Sequence, residues 1–230
     1  MVLCEGISRL MQLDKSMAAT FKNSIVLINS GNFGIPVSQL VFMGNPLGVS
    51  IQMFVMIFQN LLTFTYGLFN SVGVDQKKFK AIVELFKLPI LYALFIGLLL
   101  NLLEINIPPF VFNPISNIAN AFLAIALITM GAQVALLKVH HFSFLLLISI
   151  CGRLIVSPIL AWCVISFLGI EVTTAQALFI ASSFPTSRNS ALFALEYNNH
   201  PDYAAQAVLL TTLASSVTVT LVVFLSRIIF

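Results

Sequence analysis

Charge is the scarcest thing in this sequence. Eleven lysines and arginines and eight aspartates and glutamates make up 8% of 230 residues, while 59% are hydrophobic and the mean hydropathy is +1.03. A water-facing domain carries about 25% charged residues, so this chain cannot cover a soluble exterior. Its apolar runs do not alternate with period two, which argues against a transmembrane β-barrel. The N-terminal MVLCEGISRLMQLDKS mixes its charges and lacks a basic start followed by an apolar core, so it is no signal peptide. The three cysteines, Cys4, Cys151 and Cys163, form no metal-ligand spacing and read as small packing residues. HExxH and GxSxG are absent, and His140 and His141 fall in a turn. None of Glu5, Asp14, Asp75, Glu84, Glu104, Glu171, Glu196 and Asp202 lies clearly at mid-membrane. Hydrolytic and metal-dependent catalysis therefore find no residue set, and neither enzyme activity nor a metal or other cofactor is expected.

What is present is length of apolar chain. Crossing about 30 Å of hydrocarbon takes roughly 20 residues as a helix, and candidate spans lie near 17–43, 47–70, 88–105, 115–137, 142–168, 173–197 and 204–226. The expected class is an all-α integral membrane protein of about seven transmembrane helices, with the lipid bilayer as its main partner and no nucleic-acid role. Arg9, Lys15 and Lys22, then Lys77, Lys78, Lys80 and Lys87, then Lys138 fall on one side of such a topology. The positive-inside bias makes that side cytoplasmic. The N-terminus is then inside, the C-terminus outside, and Arg227 runs against the rule. The expected location is the cell membrane.

Two spans are punctuated. The first carries INSGNFGIPVSQ and the sixth SSFPTSRNS, each followed by a polar turn and a polar-streaked helix. The two units run in opposite senses, the arrangement of inverted repeats whose broken helices form a midplane binding site in secondary transporters; the alternative is a pair of ordinary proline kinks. Gly31, Gly34 and Pro36 are expected to break the first span, and Pro185 the second. Asn29, Ser30 and Asn32 in one break, and Ser187 and Asn189 in the other, can satisfy freed backbone groups or face a solute. Arg188 lies deep in the sixth stretch, where an arginine is costly. It either contacts an anion through its planar fork, snorkels, or bonds freed carbonyls. Gln52, Gln59 and Thr63 share a helix face, as do Thr211, Ser215 and Thr218. Most of these suit interhelical hydrogen bonds, while Gln59 and Asn60 are bulky enough to line a path.

NSGNFGIPVSQLVFMG, ALITMGAQVAL and FPTSRNSALFALEYNNHPDYAAQAVLLTTLAS together resemble the auxin efflux carrier family, which includes plant auxin carriers and malate-permease-like bacterial proteins. The resemblance runs from about residue 17 to the end. It implies two inverted five-helix repeats whose interrupted helices cross at the substrate site. Asn29, Gly34 and Pro36 match the first crossover, and Pro185 and Asn189 the second. The implied divisions are a cytoplasmic segment 1–16, the end of the first repeat over 17–70, a basic loop 71–87 and a complete second repeat over 88–230. Three earlier helices of the family have no counterpart, so the first repeat is incomplete, as in a fragment, a misassigned start or a decayed copy. The polar groups of NSGNFG are then expected to face lipid or an open groove. Arg188 replaces the apolar residue expected in plant auxin carriers and points away from auxin. The implied function is alternating-access transport of a small organic anion such as a malate-like dicarboxylate. The rival is a non-transporting sensor or partner subunit, and homo-oligomerisation is left open.

Overall fold

The structure is a computed structural model that describes residues 1–72, 83, 86, 89–136 and 143–230. Lys77, Lys78, Lys80, Lys87, Lys138, Asp75, Glu84, His140 and His141 lie outside the described residues, and with them most of the expected basic loop. Each of the seven apolar stretches is helical, and the described residues contain no strand beyond one isolated bridge.

The chain opens with α1 (Val2–Leu10), which the sequence reading left without structure. A turn leads to α2 (Lys15–Val26), where the Asp14 carboxylate accepts from the Met17 amide at 2.8 Å and caps the first turn. A three-residue non-helical link follows, then a π turn (Ser30–Gly34) and α3 (Ile35–Val41). The long α4 (Pro46–Ser71) starts with Pro46 at its first position, where no amide is needed; the Asn45 side chain accepts from Leu47 N at 3.2 Å. Then come α5 (Pro89–Leu102), α6 (Pro109–Leu136) and α7 (Phe144–Leu168). Gly169, with φ 59°, takes the left-handed position that closes α7. The second interrupted path is α8 (Val172–Ser182), a short extended link, and α9 (Arg188–Glu196), capped by Ser187, whose hydroxyl accepts from Asn189 N at 3.3 Å. The chain closes with α10 (Pro201–Ile229).

Among the described residues three helices, α4, α7 and α10, are long and apolar enough to cross a membrane by length and composition. Large apolar side chains such as Phe54, Phe95, Phe110, Ile118, Phe167 and Phe224 point outward, as hydrocarbon solvent allows. The core lies around the two interruptions. Phe33, Phe42, Ile180, Phe184 and Val219 cluster there, with the Phe33 and Phe184 ring centroids 5.7 Å apart. Helix α4 packs on α8, α7 on α8, α9 on α10, and α6 against the first π turn, while α2 is held by α1, α7 and α10.

The turn at Tyr197–Asp202, within the motif that carried the family resemblance, works as a clamp. Asn198 and His200 adopt positive φ and turn Asn199 inward. Ser16 Oγ donates to Asn199 Oδ1 at 2.8 Å, Thr20 Oγ1 donates to its carbonyl at 2.7 Å, and its Nδ2 donates to Ser71 O at 2.6 Å. One side chain and its backbone thus join α2, α4 and the α9–α10 turn.

Candidate functional site

The two interruptions meet. Ile28 and Thr186 form an antiparallel bridge, in which Asn29 N donates to Pro185 O at 2.9 Å and Ser187 N to Leu27 O at 2.8 Å. Two short segments running in opposite directions therefore satisfy each other's backbone groups, as an interrupted helix within a membrane requires. Thr186, fully buried, ties the bridge further: its Oγ1 donates to Ser24 O at 2.6 Å and its amide to Thr211 Oγ1 at 3.1 Å. Thr211 belongs to the polar stripe seen in the sequence, and here it braces the crossing.

The first break sits earlier than expected. The non-helical residues are Leu27–Asn29, with Leu27 extended and Ile28 in the bridge, whereas Ser30–Gly34 form a π turn and Pro36 lies within the first turn of α3. Gly31 and Gly34 do not supply unusual backbone angles. Gly34 is required by close approach: a Cβ there would lie 2.5 Å from Gln52 Nε2 and 2.6 Å from the Phe184 ring. Gln52 Nε2 in turn donates to Ser30 O at 3.0 Å, taking up a carbonyl at the start of the π turn. Of the NSGNFG groups, Ser30, Phe33 and Gly34 are buried and the others half-buried, and Asn29, Ser30, Gly31 and Asn32 face a cavity.

Beside the crossing lies a cavity of about 160 Å³, lined by Asn29, Ser30, Asn32, Asn60, Ser187, Arg188 and Asn189 together with Ile28, Gly31 and Thr63. Six of the ten residues singled out from sequence share this wall. Gly34, Pro36 and Pro185 are buried in the crossing beneath it. Gln59 is buried away from it with Nε2 unpartnered, and Asn60, one residue on, lines it instead. The cavity sits at the N-terminal ends of the π turn and of α9, where amide groups leave partial positive charge. Arg188 is exposed, and no hydrogen bond or ion pair occupies its guanidinium among the described residues. Among the described residues no acidic side chain lines the cavity.

The residue that sequence reasoning missed is Arg153. It is 3% exposed and sits in a π turn (Gly152–Val156) inside α7. Its signal was an arginine in the middle of the fifth apolar stretch, as conspicuous as Arg188.

An all-helical membrane protein with two interrupted helices paired at their breaks has the frame of a carrier. The model of a family described as membrane transport protein matches residues 1–223, and the chain belongs to this family, that of the auxin efflux carriers. The match includes α1 and so begins earlier than the resemblance from residue 17. No curated protein sequence matches the chain.

Proposed function

We propose that this chain carries a small organic anion of the dicarboxylate type across the cell membrane by alternating access, with the cavity beside the crossing as its binding site. The observation that supports this reading is the convergence of Arg188, four asparagine amides and two helix N-terminal ends on one small cavity without a carboxylate. A guanidinium with no protein partner can hold a carboxylate by two parallel hydrogen bonds, and asparagines supply donors for a second carboxylate or a hydroxyl. A volume of about 160 Å³, below the roughly 300–1,000 Å³ of drug-sized sites, suits a short aliphatic solute better than an indole. The N-terminus is cytoplasmic in this reading, and the chemistry is binding and release with no covalent step.

The test is uptake of radiolabelled malate or succinate into proteoliposomes containing the purified chain. A hydrogen bond to a charged group is worth about 1.5–3 kcal/mol, so Arg188→Ala should lower uptake at limiting substrate by about tenfold or more, and Arg188→Lys by less. Equal uptake by parent and Arg188→Ala would remove Arg188 from the site. Saturable binding without flux would make the chain a receptor.

A further inference from the structure

Arg153 brings together the C-terminal ends of α2 and α8, and it is not among the residues that line the cavity beside the crossing. Such ends carry unpaired carbonyls and partial negative charge, and burying two of them side by side is unfavourable without a cation. Arg153 stands between them. Its Nη1 donates to Ile25 O, in the last turn of α2, at 2.8 Å, and its Nη2 donates to Ser182 O, the last residue of α8. Nη2 also donates to Ser157 Oγ at 2.8 Å, and Ser157 Oγ donates to Ser182 O at 3.1 Å. No carboxylate pairs with Arg153 among the described residues. A buried charge without a counter-ion persists only where fixed dipoles replace one.

We propose that Arg153 is a tethered cation that holds the crossing closed: it bridges the two half-helix carbonyl ends and thereby positions the extended segments that wall the anion cavity. It is a positioning residue and does not touch the solute. The planar fork suits this bridge because its two terminal nitrogens reach carbonyls of two different helices, which a point-charged ammonium does less well. The proposal rests on the hydrogen bonds of Arg153 and stands whether or not the cavity binds a dicarboxylate.

The test uses the full chain in lipid nanodiscs, with Cys4, Cys151 and Cys163 replaced by serine and a reporter Asn29→Cys at the crossing. The rate of labelling by a water-soluble maleimide reads how tightly the crossing is closed. Arg153→Ala should raise this rate by at least about tenfold, the scale of a lost hydrogen bond to a charged group. Methylguanidinium should return it toward the parent rate, while tetramethylammonium at equal concentration should not. An apolar cavity of about 520 Å³ borders Arg153, Cys4, Ile25 and Ile148 and offers the small cation a way in. Unchanged labelling in Arg153→Ala, or a raised rate indifferent to methylguanidinium, would overturn the proposal. If Arg153→Ala does not fold, Arg153→Lys decides: raised labelling supports the bridge, and parent-like labelling overturns it.

Discussion

Gly34 shows how little room the crossing leaves. Its missing Cβ lets the π turn lie against Gln52 and the Phe184 ring, and Phe184 is itself fully enclosed. Alanine at this position needs both neighbours to move, and overpacking of this kind costs about 1–3 kcal/mol. Gly34→Ala should therefore lower the thermal midpoint of the purified protein by several degrees and loosen the Gln52–Ser30 bond, whereas Gly31→Ala, whose Cβ would meet only the flexible Met56 side chain at 3.4 Å, should change it little. Equal midpoints for the two variants would show that the crossing has slack the distances do not suggest. Arg153 and Arg188 make the complementary point about charge. One is enclosed and bonded to carbonyls of α2 and α8; the other is exposed on the cavity wall, unpaired among the described residues.

At the scale of elements, each broken helix divides into halves with opposite dipolar ends, and the fold places like ends together. The carbonyl ends need a cation, which the protein supplies itself; the amide ends leave room for an anion. The N-terminal α1 belongs to the same assembly, since Cys4, Phe21 and Leu145 join α1, α2 and α7 in one cluster. Its polar tie is Glu5, which accepts from Lys22 Nζ at 3.1 Å and from Arg9 Nε at 3.0 Å. These hydrogen bonds, that from Lys22 first, hold the Glu5 carboxyl below its ordinary value. A lowered folded-state value means that the tie is fully present above the usual carboxylate range and is lost as pH falls through the lowered value. A spin label at Gly6→Cys, a position with no neighbour within 4 Å, should gain mobility as acid titration carries Glu5 from neutral pH through its lowered value. Glu5→Gln should produce the same gain at neutral pH. Mobility that ignores both would leave the apolar cluster as the whole of the α1 docking.

For the whole molecule, the long apolar runs announced the helices to within a few residues, because length and composition alone decide what can live in hydrocarbon. The existence of two breaks was also legible, since clustered glycine, proline and asparagine have few other uses in such a segment. The position of the first break was not. Leu27 and Ile28 carry no local signal for extended structure; they are extended because they pair with Pro185–Ser187 across the molecule, and Pro36 marks the helix that starts afterwards. Arg153 was visible but had no role until its distant carbonyl partners were in place. The proposed anion site at the crossing is built on Arg188. Equilibrium binding of radiolabelled dicarboxylate to the purified chain in detergent, for the parent and for Arg188→Ala, tests this most directly. Saturable binding by the parent is expected, weakened at least about tenfold by the substitution, since 1.4 kcal/mol corresponds to a factor of ten in Kd. Equal affinity in the two proteins, or no saturable binding by the parent, would contradict it.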